Sequence, residues 1–191
     1  MSFADIGNRR LFRTREEWRQ WLQDNFDKES EIWFIFPLKA SGETAISYND
    51  AVEEALCFGW IDSTIKALDK NHKIQRFTPR DPKSTYSQSN KERIRWLSEN
   101  GLMHPDVLKK VAHILEETFV YPDDILDAIK KDESAWEHFH KFSESYKRIR
   151  IAYIDSARES HEEFKKRLNH FMERTRQGKM IAGYGGIDKY Y

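Results

Sequence analysis

The sequence predicts an α+β protein: a mixed N-terminal part with a small, mainly antiparallel sheet flanked by helices, followed by an all-helical C-terminal part. Three observations carry this. Strand-like patterns, a continuous apolar run and a period-two stretch, occur only before residue 80. Apolar spacing of the helical kind, opened by Ser, Thr or Asp capping signals, recurs from Ser89 onward. With 39% hydrophobic, 14% aromatic and 34% charged residues among 191, the chain is long enough to bury a sizeable core under a polar surface.

The elements follow in order. Thr14-Arg15-Glu16-Glu17 is a capping box, and Trp18, Trp21 and Leu22 share one face, so a helix runs from about Arg15 to Phe26. Ile32-Trp33-Phe34-Ile35-Phe36, ending at Pro37, reads as a strand buried on both faces. Tyr48, Ala51, Val52, Ala55 and Leu56 define an amphipathic helix capped by Ser47 and stopped by Gly59.

From Trp60 the period is two, with Ile61, Ile65 and Ala67 on one side and Asp62, Thr64 and Lys66 on the other. Asp69-Lys70-Asn71 turns the chain into a returning strand over His72 to Thr78. With Lys70 at the apex, Thr64 faces Arg76, Asp62 faces Thr78, and the diagonal brings Asp62 toward Arg76. Arg80 continues that face. A slip of one residue would reverse every side chain.

Ser89-Asn90-Lys91-Glu92 opens a helix that runs to Asn100, with Gly101 just past its end. Pro105 starts another, carrying Val107, Leu108, Val111, Ala112 and Leu115. Further helices open at Pro122, around Ala135 and Trp136, at Ser143 and at Ser160. The organisation expected is an α+β domain over 1–118, a helical domain over 119–178 and a mobile tail over 179–191, where glycines cluster.

Charge and cysteine content narrow the function classes. Thirty-two basic and thirty-two acidic residues balance, which argues against a dedicated nucleic-acid binder. The charge is nevertheless in blocks: nine basic against four acidic residues over 72–110, three against nine over 116–145, and eleven against six over 146–191. No apolar run approaches the roughly 18 to 20 residues of a membrane helix, so no membrane insertion is expected. The one cysteine, Cys57, lies between Leu56 and Phe58 and reads as a buried structural thiol in a reducing compartment, the cytoplasm. No HExxH, thiolate cluster, Gly-x-Ser-x-Gly elbow or phosphate loop occurs, so neither metal nor cofactor is expected. Glu53 with Glu54, adjacent on a helix, read as surface charges.

The densest chemistry lies around the hairpin and the helix after it. Trp60, Asp62, Arg76, Thr78, Arg80, Ser84, Tyr86, Ser87, Asn90 and Lys91 form the candidate ligand site. A helix start offers free N–H groups and partial positive charge, so with nearby Arg, Lys and hydroxyls it suits a phosphate, sulfate, carboxylate or acidic peptide. The other reading is structural: Asp62 pairs with Arg76, the serines cap, and Trp60 and Tyr86 fill the core. The basic-aromatic run Arg93-Ile94-Arg95-Trp96 is the feature a nucleic-acid partner would use.

The aromatic-Gly-Trp-Ile-Asp turn at Phe58–Asp62, the Arg76-Phe77-Thr78-Pro79-Arg80 segment, the run from Lys83 to Lys91 and the Gly101-Leu102-Met103 helix end together resemble the bacteriocin-protection family, also called YdeI or OmpD-associated proteins. The similarity extends through Tyr121-Pro122, Ser143 to Ile154 and Gly178-Lys179. One departure is Ser160-His161-Glu162-Glu163-Phe164, which stands where relatives carry a Thr-Arg-rich stretch. The resemblance implies a cytoplasmic bacterial protein linked to envelope stress or bacteriocin tolerance, and it supplies no catalytic residues. The leading expectation is a non-enzymatic binding or stress-protection protein. The alternative is an enzyme using the same pocket, with Asp62 as acid or base and Arg76 and Arg80 as anion clamps.

Overall fold

The computed structural model describes residues 8–182 and 188–190. The mobile tail expected over 179–191 falls partly on residues 183–187 and 191, which lie outside the described residues. The architecture is α+β, in two compact units. The first comprises the chain up to Thr85 together with Leu97–Ala112. The second comprises Tyr86–Trp96 and the chain from His113 onward.

The first unit is built on a sheet of order β1-β2-β4-β3, from β1 (Arg9–Arg10), β2 (Ile32–Pro37), β3 (Trp60–Ala67) and β4 (His72–Pro79). β1 runs parallel to β2; the other pairings are antiparallel. β1 carries no sequence signal, being two exposed arginines, and is held because Trp33 N–H donates to the Asn8 carbonyl at 2.9 Å. Helix α1 (Arg15–Asn25) starts where the Thr14 hydroxyl accepts from Glu17 N–H at 3.2 Å. It lays Trp18 and Leu22, both fully buried, onto the sheet. There Phe12, Trp18, Phe34 and Phe77 pack with ring centroids 4.9 to 6.0 Å apart, each large side chain contributing roughly 1.5 to 3 kcal/mol by leaving water.

Helix α2 (Tyr48–Cys57) is capped by Ser47, whose hydroxyl accepts from Asp50 N–H at 3.1 Å. It packs beside α1, and Trp18 Nε1 donates to the Ala51 carbonyl at 3.0 Å. Gly59, at φ +72°, then reverses the chain into β3, a conformation that only glycine adopts without strain.

The expectation that Glu53 and Glu54 are surface charges is overturned: they are 0% and 2% exposed. Arg15 reaches Asp50 at 2.9 Å, Glu53 at 3.0 Å and Glu54 as well, and Arg19 reaches Glu54 at 2.6 Å. Two arginines on α1 neutralise both carboxylates, so adjacency along a helix did not force either outward.

The second unit is helical. It contains most of α3 (Gln88–Glu99) and the end of α4 (Pro105–Glu116), then α5 (Asp123–Lys130), α6 (Glu133–Lys141), α7 (Glu144–Asp155) and α8 (His161–Arg176). Its core gathers Ile125, Ile129, Phe139, Tyr146, Ile154 and Phe171. Asp132, Ser143 and Ser160 cap α6, α7 and α8. Inside it Glu92, 2% exposed, receives both Arg148 Nε and Nη2 at 2.7 Å and Gln88 Nε2 at 2.7 Å. Burial alone would raise the Glu92 carboxyl, but the Arg148 bonds and charge outweigh it and hold it below the usual carboxylate range. At the far end of the chain, Tyr190 is 7% exposed and meets Trp96 edge-on at 5.7 Å.

Candidate functional site

The hairpin that was expected to align Asp62, Arg76 and Arg80 does so only in part. Near the turn the register is the one that an apex at Lys70 requires: Ile65 faces Gln75, Lys66 faces Ile74 and Ala67 faces Lys73. A β-bulge then places Ser63 and Thr64 opposite the single residue Arg76. Beyond it Asp62 faces Phe77 and Ile61 faces Thr78.

The extra residue separates the expected partners. Asp62 Oδ2 accepts from the Tyr48 hydroxyl at 2.7 Å and from Gln75 Nε2 at 3.0 Å, and Gln75 also donates to the Ser63 carbonyl at 3.0 Å. Arg76 turns to the opposite side of the sheet, where its neighbour on β2 is Trp33, and binds Glu31 at 2.6 to 2.7 Å. Arg80 N–H donates to the Gly59 carbonyl at 2.8 Å, and its guanidinium donates to the Thr85 carbonyl. Ser84 Oγ donates to the Asp81 carbonyl at 2.8 Å, closing a turn. Trp60 is fully buried and its indole donates to the Phe26 carbonyl at 3.0 Å. Thr78 is half-buried in the ladder.

The remaining predicted residues belong to the second unit. Ser87, not Ser89, caps α3: its hydroxyl accepts from Asn90 N–H at 3.4 Å and its carbonyl from Lys91 N–H at 3.0 Å. The Ser89 capping box fails because α3 begins at Gln88, which puts Ser89 inside the first turn. Lys91 binds Glu117 at 2.6 Å, Asn90 accepts from Arg93 at 2.9 Å, and Tyr86 is half-buried. In the basic-aromatic run, Arg93 is 5% exposed and Arg95 donates to the Leu115 and Glu117 carbonyls at 3.0 and 2.8 Å. Cys57 in the first unit is fully buried, and burial, aided by the nearby Glu54 charge, pushes its thiol up to about 12.

The second unit also holds a cleft of about 350 Å³ that the sequence reading missed. α7 supplies Arg150, Tyr153 and Ile154; α8 supplies Glu163, Lys166, Arg167, His170 and Phe171; Ile181 and Ala182 close one side. The α8 residues Glu163, Lys166, Arg167 and His170 recur at i, i+3, i+4 and i+7, a single helix face. That spacing was visible in the sequence, but read as part of a solvated helix it carries no signal without α7 opposite.

Arg167 forms the cleft's fixed pillar. Its guanidinium lies 3.9 Å from the Tyr153 ring centroid and donates to Glu163 at 2.9 Å, to the Tyr153 carbonyl at 2.7 Å and to Ser156 Oγ at 3.2 Å. Arg150, 4% exposed, donates to the Ile181 carbonyl, while Ile181 N–H donates to the Tyr146 hydroxyl at 3.0 Å. Lys166, with 78% of its side chain exposed, stands 3.6 Å from Glu163. Three cations and the His170 imidazole thus line a cleft that has one carboxylate, above an apolar floor of Ile154 and Phe171.

Residues 10–110 match the model of a family described as a domain of unknown function (DUF8412), which covers more than half of the chain. Residues 118–178 match the model described as bacteriocin-protection, YdeI or OmpD-associated. The chain belongs to the first family, and its residues 118–178 are similar to the second. No curated protein and no solved structure matches it. The motifs that suggested the bacteriocin-protection family around Trp60, Arg76 and Ser87 lie within the DUF8412 match, whereas Tyr121-Pro122 and Ser143 to Ile154 lie in the segment that the bacteriocin-protection model matches. That segment ends at Gly178, so it contains the two helices of the cleft but not Ile181 and Ala182.

Proposed function

We propose that the protein is a non-enzymatic binding protein of the bacteriocin-protection type, acting in the cytoplasm in stress or bacteriocin tolerance, and that it holds a small anionic ligand in the cleft between α7 and α8. The observation that carries the reading is the cleft's lining: the exposed Lys166 and His170, with Arg150 and Arg167 held in the wall behind them, against Glu163 over an apolar floor, on helices that lie within the residues matched by the second model. A few convergent charged groups over an apolar base are what small-ligand sites have in common.

The hairpin cations suit an anion less well. Arg76 would have to leave Glu31, and Arg80 the Thr85 carbonyl, before either met a ligand. The cleft fits a small anion rather than an acidic peptide, because its volume is that of a small-molecule site.

The test is a thermal-shift and calorimetric screen of the full chain against phosphate, sulfate, sugar phosphates and small carboxylates, repeated with Lys166→Glu. The expected outcome is a ligand that raises the wild-type midpoint, shifts Lys166→Glu far less and is recovered chemically unchanged. Equal shifts in both proteins move the site elsewhere, and conversion of the ligand makes the protein an enzyme.

A further inference from the structure

The shape and lining of the cleft narrow the ligand, an inference that rests on the cleft being the binding site. We infer that the occupant is a small amphipathic anion, with one phosphate or carboxylate head and an apolar body. Size is the first constraint: about 350 Å³ is near the lower end of the range of small-molecule sites. A free phosphate leaves most of that space wet.

Division of labour among the cations is the second. Arg167 is committed to three acceptors and to the Tyr153 ring, so it orients the wall rather than the ligand. Arg150 is tied to the Ile181 carbonyl and buried, and contributes field more than contact. Lys166 and His170 remain at the rim, four residues apart on one face, and among the described residues Lys166 makes a 3.6 Å contact to Glu163. The head group therefore sits at this rim. The rest of the ligand lies over Ile154 and Phe171, the apolar floor, where its own apolar surface gains by leaving water.

The experiment titrates the full chain with inorganic phosphate, phenyl phosphate, adenosine monophosphate and vesicles of phosphatidylcholine with phosphatidic acid. Phenyl phosphate is expected to bind about tenfold tighter than phosphate, the effect of taking roughly 60 Å² of apolar surface out of water, and Lys166→Glu is expected to abolish its binding. Vesicle binding that phenyl phosphate displaces assigns the same chemistry to a lipid head and its first carbons. Equal affinity for phosphate and phenyl phosphate, tighter binding of adenosine monophosphate, or vesicle binding that phenyl phosphate leaves intact overturns the ligand class while anion binding stands. No binding by any of the four overturns the cleft itself.

Discussion

In the first unit, Arg15, Arg19 and Arg76 each meet a carboxylate, Glu53, Glu54 or Glu31, whereas in the second unit Lys166 and His170 face a cleft whose one acid is already shared with Arg167. The segment richest in motif-like residues therefore uses its charges to hold the fold, and an unremarkable stretch of α8 presents them to solvent beside apolar surface. Density of polar residues in sequence does not measure availability for a ligand.

The largest expected effect tests the first half of that contrast. Glu54→Ala would leave Arg15 and Arg19 facing a hole where a carboxylate 3% exposed had been, and should cost about 3 kcal/mol in urea unfolding. Glu31→Ala, which removes only the half-exposed partner of Arg76, should cost under about 1 kcal/mol. Equal losses would break the distinction between the two ion pairs.

Glycines with the same backbone but different surroundings sharpen the comparison. Gly42 has φ +72° with nothing within 4 Å of an added Cβ, so Gly42→Ala should cost about 1 kcal/mol from conformation alone. At Gly178, φ +64°, a Cβ would lie 3.0 Å from His138 Cδ2, and Gly178→Ala should cost about 2 kcal/mol, read from the same denaturation curves. Next in size, Ser87→Ala should lose about 1 kcal/mol and Ser89→Ala under ~0.5, which would identify the α3 cap by helix content and melting temperature.

The smallest effect is a pH dependence. His72 has Nδ1 2.9 Å from Asp69 and Nε2 2.9 Å from Glu43, and bonds to Asp69 first and Glu43 second hold its pKa above the ordinary value. The stabilisation this brings is complete below the unfolded value near ~6.5 and fades as pH rises through the folded one. Glu92 behaves oppositely: its pKa is lowered, so its contribution is present above ~4.3 and fades as pH falls through the folded value. Melting temperature against pH should show the gap between wild type and His72→Gln closing on the alkaline side, and that for Glu92→Gln closing on the acid side.

Much of the fold was legible because it rests on local chemistry. The caps at Thr14, Ser47, Ser143 and Ser160, the buried run Ile32–Phe36 and the turn before His72 are each decided within a few residues. What escaped the sequence depends on distant partners. β1 exists only because β2 lies alongside, Glu53 and Glu54 are buried only because α1 brings two arginines, and the bulge at Ser63–Thr64 has no composition to announce it. The candidate site was harder still, since the cleft is made by two helices whose polar faces look like any solvated surface when read one at a time.

The bulge has a consequence for how molecules of this protein meet each other. Among the described residues β3 ends the sheet, so the peptide groups along its outer side offer a template on which a foreign strand could grow. Two residues against one break the spacing of that outer row midway, and Lys66 adds a charge beside the break, so an incoming strand finds no continuous run to follow. Removing Thr64 would make the ladder regular without turning Asp62 or Ile65 over, and the protein so shortened should fold normally yet assemble into fibres on standing at concentrations at which the parent stays dispersed.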